Sequence, residues 1–214
     1  MYQTVLPKIF KPFYCSNLIR IGKAFDGGYL VNKEDVLKTK KLISFGIGCD
    51  FSFEKQFVEI TGCPCDSYDG TVYNIDVNFL NHHNKNIDEN EFVKILAKES
   101  GNIFLKCDIE GSEYQLIEEI INNSHIFTGM VFEFHDVNKS KNFNELTNLI
   151  SKIDQKLIHI HVNNFCYQQA PKDSPDVFEL TFTSSKNIKN AFVELPNPLD
   201  MPNNYNVDQC KISY

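Results

Sequence analysis

Residues 42–50, Leu-Ile-Ser-Phe-Gly-Ile-Gly-Cys-Asp, constrain the fold of this chain more tightly than any other stretch. An apolar run of strand length that stops on Gly46-Ile47-Gly48 describes a buried parallel strand, because a strand covered on both faces reads as continuous hydrophobic sequence. The two glycines at its end let backbone approach a ligand without interference from a Cβ, at the crevice where open α/β sheets bind small molecules. Gly-x-Gly by itself also fits an ordinary tight turn, so the weight falls on residues at set distances downstream of it.

A second short strand candidate, residues 63–70, ends in Asp66 and Asp69, about twenty residues after Gly48, where a carboxylate can accept hydrogen bonds from ribose hydroxyls. The third glycine of a dinucleotide fingerprint is missing; Phe51 stands in its place and is too bulky for the close helix approach that a pyrophosphate needs. A nicotinamide cofactor is therefore disfavoured. With Asp50 beside the turn, a ligand that carries a ribose and a cationic centre but no phosphates fits better, which describes S-adenosylmethionine. The alternative is that Asp66 and Asp69 only cap a turn.

At 214 residues with 42% hydrophobic content, the chain can bury one sizeable core, and no second domain or internal repeat is visible. One domain over 1–214 is expected, with an N-terminal extension over 1–17 and a C-terminal tail from about 196 to 214, of which the Pro- and Asn-rich part over 196–206 reads as a surface segment. The net charge of −7 and the lack of a basic stripe argue against a nucleic-acid partner, which would need phosphate-neutralising surface. No apolar stretch approaches a membrane span and no signal peptide is apparent, so a soluble cytosolic protein is expected. Seven cysteines, with no Cys-x-x-Cys spacing, indicate neither a disulfide framework nor a zinc knuckle; Cys63 and Cys65 would be redox-active only if exposed.

Along the chain, 18–22 and 27–31 read as two extended pieces joined by 23–26. Residues 53–60 are helical with Phe53, Phe57 and Ile60 on one face, 78–90 form a polar loop, and 91–98 form a helix. Residues 103–107 are a buried strand. A helix runs on from an N-cap at Ser112, with Glu113 on its exposed side and Leu116, Ile117, Ile120 and Ile121 on its apolar stripe. Strands at 130–134, 157–162 and 177–182 surround a helix at 146–153. This alternation implies an α/β fold: a mostly parallel sheet with helices on both faces and an antiparallel last strand, since 163–176 leaves no room for a helical crossover.

Chemistry belongs at the carboxyl tips of such strands, and three tips are polar. Asp108 and Glu110 come after the third strand, Glu133 and His135 share one side of the next, and His159, His161 and Asn163 share a side of another. A Glu within a buried strand is costly unless it is paired, ligated or hydrogen-bonded, His159 being one candidate partner for Glu133.

The segments Arg20-Ile-Gly-Lys-Ala-Phe-Asp26-Gly-Gly-Tyr29, Ser44-Phe-Gly-Ile-Gly-Cys-Asp50-Phe-Ser-Phe-Glu54, Tyr68-Asp69-Gly-Thr71, Lys106-Cys-Asp108-Ile-Glu110-Gly-Ser-Glu113, Glu133-Phe-His135 and His159-Ile-His161-Val-Asn-Asn164 together resemble the FkbM-type S-adenosylmethionine-dependent methyltransferases. The resemblance runs from about Arg20 to Phe182, and Asp-Ile-Glu-Gly-Ser-Glu is its most specific part. It implies a Rossmann-like class I methyltransferase sheet and O-methylation, as in bacterial members that modify a sugar or nucleotide-linked sugar for capsule or lipopolysaccharide. It implies further that Gly46, Gly48 and Asp50 hold the methionine end of the cofactor, that Asp69 takes the ribose hydroxyls, that 87–88 flank the adenine, and that Asp108 lies beside the transferable methyl.

Methyl transfer to a hydroxyl needs alignment and removal of a proton, and Asp108, His135 and His161 are the catalytic candidates. Either His135 acts as general base, or Asp108, His135 or Asp136, and His161 hold a divalent ion, Mn²⁺ or Fe²⁺ in preference to Mg²⁺, that lowers the hydroxyl pKa. Arg20, Asp26, Tyr29, Glu110 and Asn163 are candidates for the acceptor side, with Arg20 suited either to an oxyanion or to a loop-fixing pair with Asp26. The competing readings are methylation of a small phosphorylated metabolite, and a non-catalytic binding protein with the same fold.

Overall fold

The structure is a computed structural model that describes residues 2–73, 75, 77–167 and 175–214. Its elements in chain order are β1 (Gln3–Val5), β2 (Leu18–Gly22), β3 (Gly28–Asn32), α1 (Lys33–Lys38), β4 (Lys41–Phe45), α2 (Ser52–Thr61), β5 (Cys65–Tyr68), β6 (Asn81–His83), α3 (Glu89–Leu96), β7 (Ile103–Cys107), α4 (Ile117–Asn122), β8 (Phe127–Phe134), α5 (Ser140–Lys152), β9 (Lys156–Val162), β10 (Phe178–Thr183) and β11 (Lys211–Ser213).

Seven strands form one sheet in the order β6-β5-β4-β7-β8-β10-β9. β4 pairs in parallel with β5 and β7, and β7 pairs in parallel with β8. β10 runs antiparallel between β8 and β9, which matches the expected inserted strand. From β4 the chain first builds outward to β5 and β6 and then returns to β7 and builds the other way. The carboxyl ends of β4 and β7 are therefore a topological switch point, where neighbouring connections diverge and leave a crevice.

Side-chain alternation explains why both faces are covered. Ile43, Leu105 and Phe132 pack on one face with Phe92 of α3, Ile117 and Ile120 of α4 and Leu149 of α5. Their sequence neighbours Leu42, Phe104 and Val131 pack on the other with Val36 of α1, Phe53 and Phe57 of α2, and the β2-β3 hairpin through Ile21 and Val31. The hairpin joins the two expected extended pieces in antiparallel register.

Several expectations are corrected. Ile60 is 39% exposed and does not share the buried face of Phe53 and Phe57. The supposed loop at 78–90 contains the edge strand β6, and Asp88 caps α3 by accepting from the Glu91 amide at 2.8 Å. The Ser112 side chain makes no capping bond; a 3-10 turn over Glu113–Leu116 precedes α4, and Glu113 is fully buried, not on an exposed side. The stretch 196–206 is not wholly on the surface: Leu199, Met201 and Tyr205 are exposed but Asn203 and Asn204 are buried, and beyond it β11 pairs in parallel with β1. Cys63 and Cys65 are both buried, against a redox role, while Cys49 is exposed; the Cys166 side chain lies outside the described part. Among the described residues, no helix is long and apolar enough to cross a membrane.

Candidate functional site

The tips of β5, β4 and β7 are locked to one another by backbone. Gly46 N–H donates to the Tyr68 carbonyl at 2.9 Å and Asp108 N–H donates to the Phe45 carbonyl at 3.0 Å. Gly46 has φ +72°, and a Cβ there would stand 1.6 Å from the Asp108 carbonyl oxygen, so glycine is obligatory. Gly48 has φ +50° with nothing within 4 Å of a would-be Cβ, which leaves open space above the turn. Asp69 Oδ2 accepts from the Ile47 and Gly48 amides at 3.1 and 2.9 Å, and its Oδ1 accepts from the Thr71 amide and hydroxyl at 2.8 and 2.6 Å. Partial burial pushes against its charge, but these donors outweigh that and hold its carboxyl below the usual range. Asp69 thus braces the glycine turn. Asp50 pairs with Lys23 at 2.9 Å and accepts from the Ser52 amide at the start of α2.

Beneath the turn lies a buried cation that is absent from the candidates drawn from sequence. Lys106 interrupts the apolar run of β7 and donates its Nζ to the Gly46 carbonyl, with Glu54 and Asp108 carboxylate oxygens at 3.8 and 3.9 Å. Burial favours the neutral amine, but Glu54, Asp108 and Glu133 reverse this and keep it charged. A lysine inside Ile-Phe-Leu-Lys-Cys is itself the available signal, since such a strand tolerates it only with partners. Glu54, in turn, accepts from the Ser44 hydroxyl at 2.5 Å.

Asp108, Glu133 and His135 come together on the neighbouring wall, with ligand atoms all within 4.8 Å of one another. The Tyr29 hydroxyl sits between Glu133 Oε2 at 3.1 Å and Asp108 Oδ2 at 3.3 Å, and Asn163 Nδ2 donates to Glu133 Oε1 at 3.0 Å. Glu133 is therefore satisfied by Tyr29 and Asn163, not by His159. Burial raises the Asp108 carboxyl against the pull of Lys106 and His135, and burial together with Asp108 and Glu179 raises Glu133 well above its ordinary value. The Tyr29 hydroxyl has one proton for two acids, so a proton on either carboxyl completes the set.

His135 Nδ1 meets Glu113 Oε1 at 3.2 Å, and the same oxygen accepts from the Ile109 and Gly111 amides at 2.9 and 3.2 Å. Burial disfavours the imidazolium, but Glu113, Glu133 and Asp108 outweigh it and push His135 up to about 9. As a free base at neutral pH it is poorly poised, because it already holds a proton. Glu110, at φ +55° and largely exposed, lies 3.5 Å from His135 Nε2.

His161 stands apart from this triad. Glu179 faces Glu133 on one side and His161 on the other, so His161 lies two strand spacings, about 10 Å, from Glu133. Its Nε2 meets Asn203 Oδ1 at 3.0 Å and its Nδ1 lies 3.6 Å from Asp200 Oδ2, while His159 Nε2 approaches Asp200 Oδ1 at 3.0 Å. Asn203 also donates to Glu179 at 2.7 Å and Asp26 at 3.1 Å. Nothing in the Pro- and Asn-rich composition of the tail signals Asp200 or Asn203. Arg20 turns its guanidinium onto the Phe25 and Lys23 carbonyls, so it fixes the hairpin loop through backbone instead of through Asp26 and does not line the cleft.

The cleft over these tips has a volume of ≈ 670 Å³. Gly46, Gly48, Asp50 and Asp69 form one end, Tyr29, Asp108, Glu133 and Asn163 the other, and Ile87 with Asp88 closes a side. Seven carboxylates face three lysines in its lining. Each of those lysines is engaged: Lys23 by Asp50, Lys85 by Glu91 and Lys106 by Gly46. The arrangement suits a cationic ligand better than a polyphosphate.

No protein-family model and no curated protein matches the chain. Among solved structures, a chain named as a methyltransferase, SMU.1697c of Streptococcus mutans in complex with SAH, is similar over 69% of this chain and 91% of its own, at 11% identity and a TM-score of 0.38.

Proposed function

We propose that the protein is an S-adenosylmethionine-dependent O-methyltransferase of the class I, FkbM-like kind. The observation that carries this reading is the obligatory Gly46 turn, braced by Asp69 and facing Asp108 across the switch point, under an acid-lined cleft. The residues fit the cofactor: the turn leaves room above Gly48, and the cleft's negative lining complements a sulfonium and an ammonium. When bound, S-adenosylmethionine supplies an electrophilic methyl group.

Gly46 and Gly48 admit the methionine end along their backbone, and the Thr71 hydroxyl is the ligand of Asp69 that ribose hydroxyls would replace. Ile87 and Asp88 offer an apolar and a polar edge to a base. The acceptor hydroxyl would lie against Tyr29, Glu133 and Asn163, with Asp26 at the rim. Asp108 and Glu133 then face the proton that must leave, a task worth about 10²–10⁴-fold in rate. A sugar hydroxyl of a bacterial surface polysaccharide is the proposed acceptor. The engaged lysines make a nucleotide-linked sugar or a phosphorylated metabolite a poorer match than an uncharged sugar.

Calorimetric titration with S-adenosylmethionine tests the first half: saturable binding, weakened at least about tenfold in Asp69→Ala, is expected, and no heat at millimolar cofactor would overturn the reading. Mass spectrometry of sugars incubated with methyl-labelled cofactor tests the acceptor.

A further inference from the structure

We infer that Asp108, Glu133 and His135 form a binding site for a single divalent cation of the Mn²⁺ or Mg²⁺ class. Glu133 takes the place that the sequence pattern gives to His161. The spacing of the three groups is close to that of a coordination shell. His135 Nε2 lies 3.7 Å from Glu133 Oε1, and the three ligand atoms fall within 4.8 Å of one another. Octahedral ligands at about 2.1 Å from an ion stand ~3 Å apart in cis and ~4 Å in trans, so side-chain adjustments of under about 1 Å close the set.

The orientation of His135 supports the site independently of that spacing. Glu113 is fully buried and fixed by two backbone amides, and it engages Nδ1 of His135. A histidine held through one ring nitrogen by a carboxylate presents the other to a metal, and this outer contact sets tautomer and ring plane. Here the other nitrogen faces Glu133, at a separation too long for a hydrogen bond, and an ion bound there would replace the proton that this nitrogen carries. Glu110 approaches the same nitrogen at 3.5 Å from the surface side and is available as a further oxygen ligand.

Charge points the same way. Asp108 and Glu133 share the Tyr29 hydroxyl, and Glu133 otherwise receives the neutral Asn163 amide. Lys106 stays 3.9 Å from Asp108 and directs its hydrogen bond to Gly46. Each Glu133 oxygen thus has one neutral donor and a lone pair to spare. Two carboxylates and one imidazole suit Mn²⁺ or Mg²⁺ more than a soft ion. Such an ion would supply Lewis acidity to a hydroxyl in the cleft, the one point at which the inference rests on the proposed methyl transfer.

The test is a titration of EDTA-dialysed protein with Mn²⁺, monitored by loss of the free-ion electron paramagnetic resonance signal. One site per chain is expected. Affinity should fall at least about tenfold in Glu133→Gln and in His135→Ala, by about tenfold in Glu113→Gln, and by less than about twofold in the neighbouring Asp136→Asn. Circular dichroism melts establish folding; should Glu133→Gln unfold, His135→Ala, at a partly exposed strand tip, carries the test. No uptake at about 1 mM Mn²⁺, or affinity unchanged in folded Glu133→Gln or His135→Ala, overturns the site. Because Mn²⁺ uptake is read without cofactor, uptake with no S-adenosylmethionine heat removes the methyl-transfer reading alone, and the converse removes the cation site alone.

Discussion

At the scale of single residues, the two glycines of the first turn do different work although they read alike in sequence. Gly46 is required by contact as well as by backbone angle, whereas Gly48 is required by angle alone. Gly46→Ala should destabilise by more than about 3 kcal/mol, since the β7 tip must move to admit the Cβ. Gly48→Ala should cost about 1–2 kcal/mol, as a left-handed conformation ordinarily does for a residue with a Cβ. Urea unfolding of the two variants checks this, and equal losses would contradict it. Glu113 shows why such differences hide from sequence. Its spacing on a helix that begins at Ser112 puts it on the solvent side, but the 3-10 turn rotates it under Gly111 onto three donors.

At the scale of elements, the strands of the sheet are legible because apolar runs in a parallel sheet admit few other readings. β6 and β11 are not, since three residues at an edge carry no periodic signal. α1 escapes the sequence pattern for a similar reason: six residues hold only one fully buried apolar side chain, Val36, beside a buried acid, Asp35. That acid couples the helix to the sheet. Thr183 Oγ1 donates to Asp35 Oδ2 at 2.5 Å, and burial pushes the carboxyl up to about 7 from 3.8, with the Thr183 bond opposing. The native state therefore holds a proton that the unfolded chain releases, and stability declines as pH rises from about 4 through 7. The whole effect is on the order of 4 kcal/mol by the usual conversion. Asp35→Asn should flatten the slope between pH 4 and 7 and raise the melting temperature at pH 8; an unchanged profile in chemical denaturation would count against it.

At the scale of the whole molecule, the tail returns to the sheet and is tied to the hairpin loop, whose Asp26 lines the cleft. Asp200 sits between His159 and His161, and burial of its carboxyl is more than offset by those two rings, so it stays ionised well below the usual range. Asn203 then ties His161 and Glu179 to Asp26 in the hairpin loop, joining positions near both ends of the chain. Burial opposes the His161 imidazolium, but Glu179 and Asp200 push it up to about 9 from 6.5. A histidine raised in the folded state contributes stability that is full below about pH 6.5 and is lost as pH climbs through 9. Asp200→Asn removes the partner that both rings share and should cost about 3–5 kcal/mol at pH 6, as breaking a buried ion pair does. The cost should shrink toward pH 9, where wild-type His161 has itself lost its charge. Denaturant unfolding of both proteins at pH 6, 7.5 and 9 reads this convergence; a gap that stays constant would mean that Asp200 holds the tail by packing and hydrogen bonds, without a charged His161.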